Sequence, residues 1–394
     1  MQKRDLLNVC RSLLVMFAVV SLIAIAPGAA AENGRVVYAI DVDITNLDPV
    51  NSIDPGSAAV NQQIYEPLVR MGSTGDIEPV LAESWSVASD KVTWSFNLKK
   101  GVKFQDGTPF DSAAVKAHFD RLLDPDKPSR ARGAFTMIKK VETAGSHTVK
   151  FVLAKPYAPF LAVMTDLGGL ICSPTAVEKW GDDYPFHPVG TGPWMFKEWL
   201  PADHTTLVPN PNYWGGKPKI SELVFKPVPE PSARVIMLEN GQADVANTIM
   251  PDEMKRLERS KDITVQRVPV LRGWFIGLNV LEKPFDDVRV RKALNHAVDV
   301  NIIANQILRG TARPLTAPVN SRVWGYSRQT EYEYDPVKAK KLLAEAGYAK
   351  GFEANLWVPA SGAGFMPEVP QAIQAMLAEV GVKVKIIPFE TSAF

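Results

Sequence analysis

The chain has 394 residues, with 44 Lys and Arg against 43 Asp and Glu and a formal net charge of +1. The two signs are interspersed and no basic stripe forms, which excludes the electrostatic footprint of a nucleic-acid partner. The length also exceeds what one hydrophobic core usually serves, so two or more lobes are expected.

At the amino terminus Lys3, Arg4 and Arg11 outnumber Asp5, a 15-residue apolar run extends from Ser12 to Ala26, and Gly28-Ala29-Ala30-Ala31 precedes Glu32. That order is the order of a secretory signal peptide cut after Ala31, since a bilayer span needs about 20 apolar residues. Cys10 lies before the apolar run, where a lipid-modified cysteine would follow it. Removing 1–31 removes three cations and one anion, so the charge of +1 becomes −1 and Cys172 is left as the one cysteine. No internal disulfide can then form, and stability must come from packing even in an oxidising compartment.

Beyond the leader the pattern predicts a strand at 35–42 and a helix at 57–69. The most legible stretch follows. Val92, Trp94, Phe96 and Leu98 alternate with polar residues as a half-buried strand does, and Asp106-Gly107-Thr108-Pro109 supplies a turn. Asp111 and Ser112 are N-cap candidates for a helix over 111–123, with Val115, Phe119, Leu122 and Leu123 on its apolar face. A strand at 148–153 and a helix at 175–180 come next, then strands at 194–199, 204–208 and 220–228 and helices at 231–241 and 251–259. Strands are predicted at 263–268 and 273–280, then a helix at 287–308 with a break near Asp299. A helix at 335–347, a strand at 352–358, a helix at 367–380 and a strand at 382–388 complete the chain. Strands and helices intermix without strict alternation, which argues for α/β or mixed architecture over a barrel of regular units.

No catalytic grouping emerges. His118, His147, His187, His204 and His296 are widely separated, with no metal-ligand spacing, and there is no G-x-S-x-G elbow. His118 has charged helical neighbours and reads as a solvated surface residue, while Cys172 in L-I-C-S-P reads as a small buried hydrophobe. G-T-G-P-W at 190–194 lacks the Lys-Ser/Thr ending of a P-loop and reads as a structural turn, as S-G-A-G at 361–364 reads as a loop. No cofactor and no metal site are expected.

Four spaced blocks carry a resemblance. L-A-E-S-W at 81–85 runs into K-K-G-V-K-F-Q-D-G-T-P-F at 99–110, and V-G-T-G-P-W at 189–194 into N-P-N-Y-W-G-G-K-P at 210–218. D-D-V-R-V-R-K-A-L-N-H-A-V-D follows at 286–299 and Y-D-P-V-K-A-K-K-L-L-A-E-A-G at 334–347. In this order they resemble the peptide/nickel class of extracellular solute-binding proteins, which serve ABC importers. The resemblance implies an α/β, two-lobed periplasmic-binding-protein-like fold with an extra subdomain in the first lobe. It places the first lobe at 32–78 and 186–270, the inserted subdomain at 79–185 and a partial second lobe at 271–394. In the family, further chain follows the strand–helix–strand pattern seen at 351–389, so an incomplete second lobe is expected.

The function so implied is a monomeric periplasmic receptor that captures a peptide-like solute and delivers it to an ABC permease in the inner membrane. A nickel-chelate receptor, a nonfunctional truncated remnant and an exported hydrolase are the alternatives. Asp166-Leu167-Gly168-Gly169-Leu170 holds no arginine where the nickel branch has one, and looks closer to the dipeptide, oligopeptide and glutathione branches. Cleft positions carried over from the family are Asn51, Ser52, Asp54, Arg130, Arg132, Phe135, Asp166, Trp274 and Asn279. Trp357, ending a strand, is a candidate to stack on a ligand. Arg130 and Arg132 lie in a Pro-rich polar stretch and read equally as solvated loop arginines, Trp274 and Asn279 read equally as core, and Tyr65 reads as core.

Because the leader pattern places the cut after Ala31, the exported protein is expected to begin at Glu32. Amino-terminal sequencing of the periplasmic product checks this. Recovery of residues 1–31 on a membrane-bound product would overturn it.

Overall fold

In the computed structural model, residues 34–73, 75–268, 270–271, 273–323, 325–329, 331–359 and 366–389 are described. The leader at 1–31 and the S-G-A-G loop at 361–364 lie outside them.

The β-branched run of β1 (Arg35–Ile40) forms an inner strand, pairing in parallel with two neighbours. Helix α1 (Pro55–Ile64) starts where the Asp54 carboxylate accepts from Ser57 N at 2.8 Å, with Pro55 at the first helical position. It stops five residues short of the predicted end. Pro67 disfavours helical backbone at Glu66, and the chain is already extended at Tyr65, so the helix cannot continue to the predicted end.

A hairpin of β2 (Val69–Met71) and β3 (Ile77–Pro79) leads into a four-stranded antiparallel sheet. Its strands are β4 (Ala82–Val87), β5 (Thr93–Leu98), β6 (Ile138–Thr143) and β7 (Thr148–Leu153), in the spatial order β4-β5-β7-β6. Helix α2 (Ser112–Leu123), capped by Asp111, buries Val115, Phe119 and Leu122 over this sheet. Phe119 meets Phe151 edge-on at 4.9 Å, and Phe151 meets Phe96 edge-on at 5.5 Å. The sequence pattern revealed β5 and β7 but not β4 and β6. Those two are the sheet's edges, where Glu83, Lys139 and Lys140 sit exposed and blunt pairing with foreign strands.

After α3 (Pro174–Trp180) the chain rejoins the first sheet through β8 (Trp194–Leu200), β9 (His204–Pro209) and β10 (Glu222–Pro227). Helix α4 (Pro231–Glu239) then leads to β11 (Val245–Ala246), which completes the order β11-β1-β10-β9-β8. Two motif blocks interlock at this return. Gln105 Nε2 donates to the carbonyls of Ile64, Gly192 and Trp194, while its Oε1 accepts from Gly190 N at 3.2 Å. Buried Glu66 accepts from Thr191 Oγ1, Tyr213 OH and Trp214 Nε1, each at 2.8 Å, which offsets part of the upward pKa shift that burial imposes on it.

After α5 (Pro251–Leu257), the stretches predicted as strands at 263–268 and 273–280 carry no strand among the described residues. Several of their apolar residues stand in water: Phe275 is 82% and Val268 75% exposed. A β pattern becomes a strand only against a partner edge, and no described strand runs beside them. Helix α6 (Val288–Ala297) ends just before the predicted break, where Asp299 accepts from Asn301 N and Ile302 N and opens a separate short turn. Helix α7 (Pro336–Glu345), β12 (Phe352–Pro359), α8 (Glu368–Glu379) and β13 (Val382–Phe389) follow. The two strands pair in parallel from Phe352 opposite Val382 to Pro359 opposite Phe389. Val290, Ala293, Ala339, Leu343 and Leu377 form their core.

The motif glycines let the turn before β8 come close to the carboxy-terminal end of α1. A Cβ at Gly190 would overlap the Ile64 carbonyl, and one at Gly192 would stand 2.6 Å from the Gln63 carbonyl. Gly190→Ala is therefore expected to destabilise the fold by about 1–3 kcal/mol, the scale of overpacking. Gly133→Ala, with open space around the added carbon, should stay within about 0.5 kcal/mol. Urea denaturation of both variants measures the contrast.

Candidate functional site

Three segments far apart in the chain enclose a cavity of about 260 Å³ lined by Ser52, Ile53, Arg130, Ala131, Ala134, Asp166, Leu167 and Gly168. One wall is the turn after β1. Its organiser is Asp48, whose backbone carbonyl accepts from Asn51 N and Ser52 N and whose Oδ2 accepts from Asn51 Nδ2 at 3.0 Å. The Ser52 hydroxyl is buried, donates to Asn46 O and Asp48 O, and accepts from Asn61 Nδ2 at 2.8 Å. Asp54 faces away into the cap of α1 and accepts from Thr45 Oγ1 at 2.6 Å.

The arm around 124–135 forms the second wall. Arg132 turns inward, its guanidinium donating to the carbonyls of Leu122, Asp124 and Lys127. Phe135 is fully buried against Phe119. Arg130, by contrast, has no hydrogen-bond or ion-pair partner among the described residues and borders the cavity. Ala131 N donates to Val50 O at 3.1 Å and fastens this arm to the first wall.

The third wall is the 3-10 turn Leu167–Gly169, capped by Asp166, whose Oδ1 accepts from Leu167 N at 2.7 Å. The cavity thus carries one arginine and one carboxylate. Trp274 and Trp357 are 61% and 56% exposed, Asn279 Oδ1 accepts from Leu281 N, and none of the three lines this cavity. Of the ten candidates the structure brings Ser52, Arg130 and Asp166 together and uses Asn51, Asp54, Arg132 and Phe135 to shape the walls. Sequence reasoning missed Ile53, which is 62% exposed at the rim. Its signal was an isolated isoleucine within a turn-forming run.

Beneath the walls lies a buried polar cluster. Arg121 of α2 grips Asp48 with Nη1 to Oδ2 at 3.1 Å and Nη2 to Oδ1 at 2.6 Å. Cys172 and the Tyr65 and Tyr184 rings pack beside it, and Tyr65 OH donates to Leu47 O at 2.9 Å. Burial pushes the Cys172 thiol up to about 12, so it stays protonated, and both Cys172 and Tyr65 occupy the core as their sequence contexts indicate. His118 does not lie on the surface, as the sequence suggested. It is 3% exposed because the 166–172 segment covers its face of α2.

The family model for bacterial extracellular solute-binding proteins, family 5 middle, matches residues 76–394. The chain belongs to this family. It is 35% identical over 377 residues to the glutathione-binding protein GsiB of Shigella dysenteriae, covering 95% of this chain and 73% of that protein. The periplasmic binding protein DppA of Helicobacter pylori, solved with the peptide STSA, is 31% identical with a TM-score of 0.79, over 91% of this chain and 74% of that one. NikA of Brucella suis, solved with Fe(III)-EDTA, is 28% identical with a TM-score of 0.80, over 91% and 76%. Members of the family are two-lobed transport receptors of ABC importers and not enzymes. No helix among the described residues is long and apolar enough to cross a membrane.

Desolvation holds the His118 imidazole down at about 4, below its ordinary 6.5, so the folded protein keeps it neutral while the unfolded chain takes up a proton. Its contribution to stability is complete above pH 6.5 and lost as the pH falls through 4, about 3 kcal/mol over that window. His118→Gln should flatten the stability profile between those limits. Urea titrations at pH 7, 5.5 and 4.5 would show it, and parallel profiles for both proteins would refute it.

Proposed function

We propose that the receptor takes a small peptide-like zwitterion in the cavity between Ser52, Arg130 and Asp166. Support for this comes from one observation: a guanidinium without a partner among the described residues and a carboxylate line the same cavity. A guanidinium matches a carboxylate in a bidentate, charge-assisted contact, and a carboxylate accepts from an ammonium. A volume of about 260 Å³ falls just below the usual range for small-molecule pockets, which suits a short peptide or part of one. The names of the relatives, a glutathione-binding protein and a peptide complex, point the same way.

In this reading Arg130 receives the solute carboxylate, Asp166 its amino group, and Ile53 the apolar portion of a side chain. Trp274, Asn279 and Trp357 contribute from the second lobe on closure. The lobe boundaries at 32–78 with 186–270, 79–185 and 271–394, cleavage of the leader and a monomeric state belong to the same proposal, as does capture in the periplasm before transfer to the permease.

Calorimetry against glutathione and a dipeptide panel tests the site. Arg130→Ala and Asp166→Asn are each expected to weaken binding by about tenfold or more, the scale of a charge-assisted hydrogen bond. Arg130→Ala should erase the preference for a free over an amidated carboxyl terminus, and Asp166→Asn that for a free over an acetylated amino terminus. Unchanged affinity in both variants would exclude this cavity.

A further inference from the structure

We infer that His118 is a positioning residue for solute recognition: from inside α2, without touching the cavity, it sets the turn that aims the Asp166 carboxylate. This rests on the proposed role of Asp166 as the partner of the solute's amino group.

Geometry fixes the state of the ring. Cys172 N is a donor and lies 3.4 Å from His118 Nδ1, so Nδ1 must accept. The proton therefore sits on Nε2, which donates to the Gly168 carbonyl at 2.8 Å. Both ring nitrogens are engaged, one near each end of the segment that follows Asp166. Gly168 is the pivot of that segment. Gly169 N returns to Asp166 O at 2.8 Å, so holding the Gly168 carbonyl holds the turn whose cap is Asp166. The turn has no slack on its other side, because a Cβ at Gly168 would come within 2.6 Å of the Phe135 ring and 2.8 Å of Ala131 Cβ.

The same helix face holds a second wall. Arg121 lies three residues on from His118, hence beside it on α2, and it grips Asp48 under the Ser52 turn. Leu122 O, one residue further, accepts from Arg132 and anchors the arm that bears Arg130. A single helix therefore sets the relative placement of the carboxylate, the guanidinium and the serine turn. A neutral imidazole suits this position because it offers one donor and one acceptor to a carbonyl and an amide. A purely apolar residue of similar size would leave both of those backbone groups unpaired.

The test uses the full chain and one peptide with a free or an acetylated amino terminus. In His118→Leu, discrimination between the two is expected to fall at least fivefold while affinity for the acetylated form stays nearly constant. His118→Gln, whose amide can both donate and accept, should restore most of it. In combination with Asp166→Asn, His118→Leu should cause no further loss. If His118→Leu fails to fold, the unsubstituted protein still decides: its His118 Nε2 proton, followed by ¹⁵N-edited NMR, should shift with the free-amine peptide and not with the acetylated one. Equal loss for both peptides, additive losses in the double variant, or an unmoved resonance would overturn the role of His118. A weakened Asp166→Asn with undiminished discrimination in His118→Leu would leave the site standing without it, whereas indifference to Asp166→Asn would remove the site itself.

Discussion

The Arg121–Asp48 pair is the junction on which the first half of the molecule depends. The chain leaves its five-stranded sheet after β1, builds a second sheet, and returns only at β8. The two bodies must therefore be registered by contacts distant in sequence, and this pair joins α2 of one to the turn following β1 of the other. Asp48 is 4% and Arg121 16% exposed at the side chain. Burial on that scale makes such a pair a poor source of net stability but costly to break singly, of order 3–5 kcal/mol, because the survivor is left as an uncompensated charge. Its value lies in geometry: a bidentate contact fixes orientation as well as distance.

Around this junction the signature blocks turn out to be structural. Gln105 ties three carbonyls, Glu66 collects three donors, and Gly190 and Gly192 let two backbones meet. Gln105, Gly190 and Gly192 belong to those blocks, and none of them lines the cavity between Ser52, Arg130 and Asp166. The groups proposed to select a solute, Arg130 and Asp166, stand outside the blocks, on short loops held by that scaffold. Such a division lets one fold present different ligand chemistries, because loop side chains can change while the interlocked glycines and buried polar groups cannot.

Much of the local structure was legible. Alternation in 92–98 identified a central strand, the strand predicted at 148–153 is its neighbour, Asp111 marked a real helix start, and the break expected near Asp299 falls where one helix ends and a short turn begins. Local signals succeed where a short segment's own pattern decides its conformation. They failed at β4 and β6, where edge positions bury little and tolerate charge, and at 263–280, where an apolar alternation has no described partner strand.

What the sequence alone determined was the receptor class, through four ordered motif blocks, and the type of most elements, because capping and periodicity act within one or two turns of chain. Only the tertiary structure decided which candidates could meet. Ser52, Arg130 and Asp166 converge while Phe135 and Arg132 turn inward, and His118 becomes a core residue because a segment 50 positions away lies across its helix. Exposure is a property of what packs against a side chain, and no periodicity records a contact made at that separation.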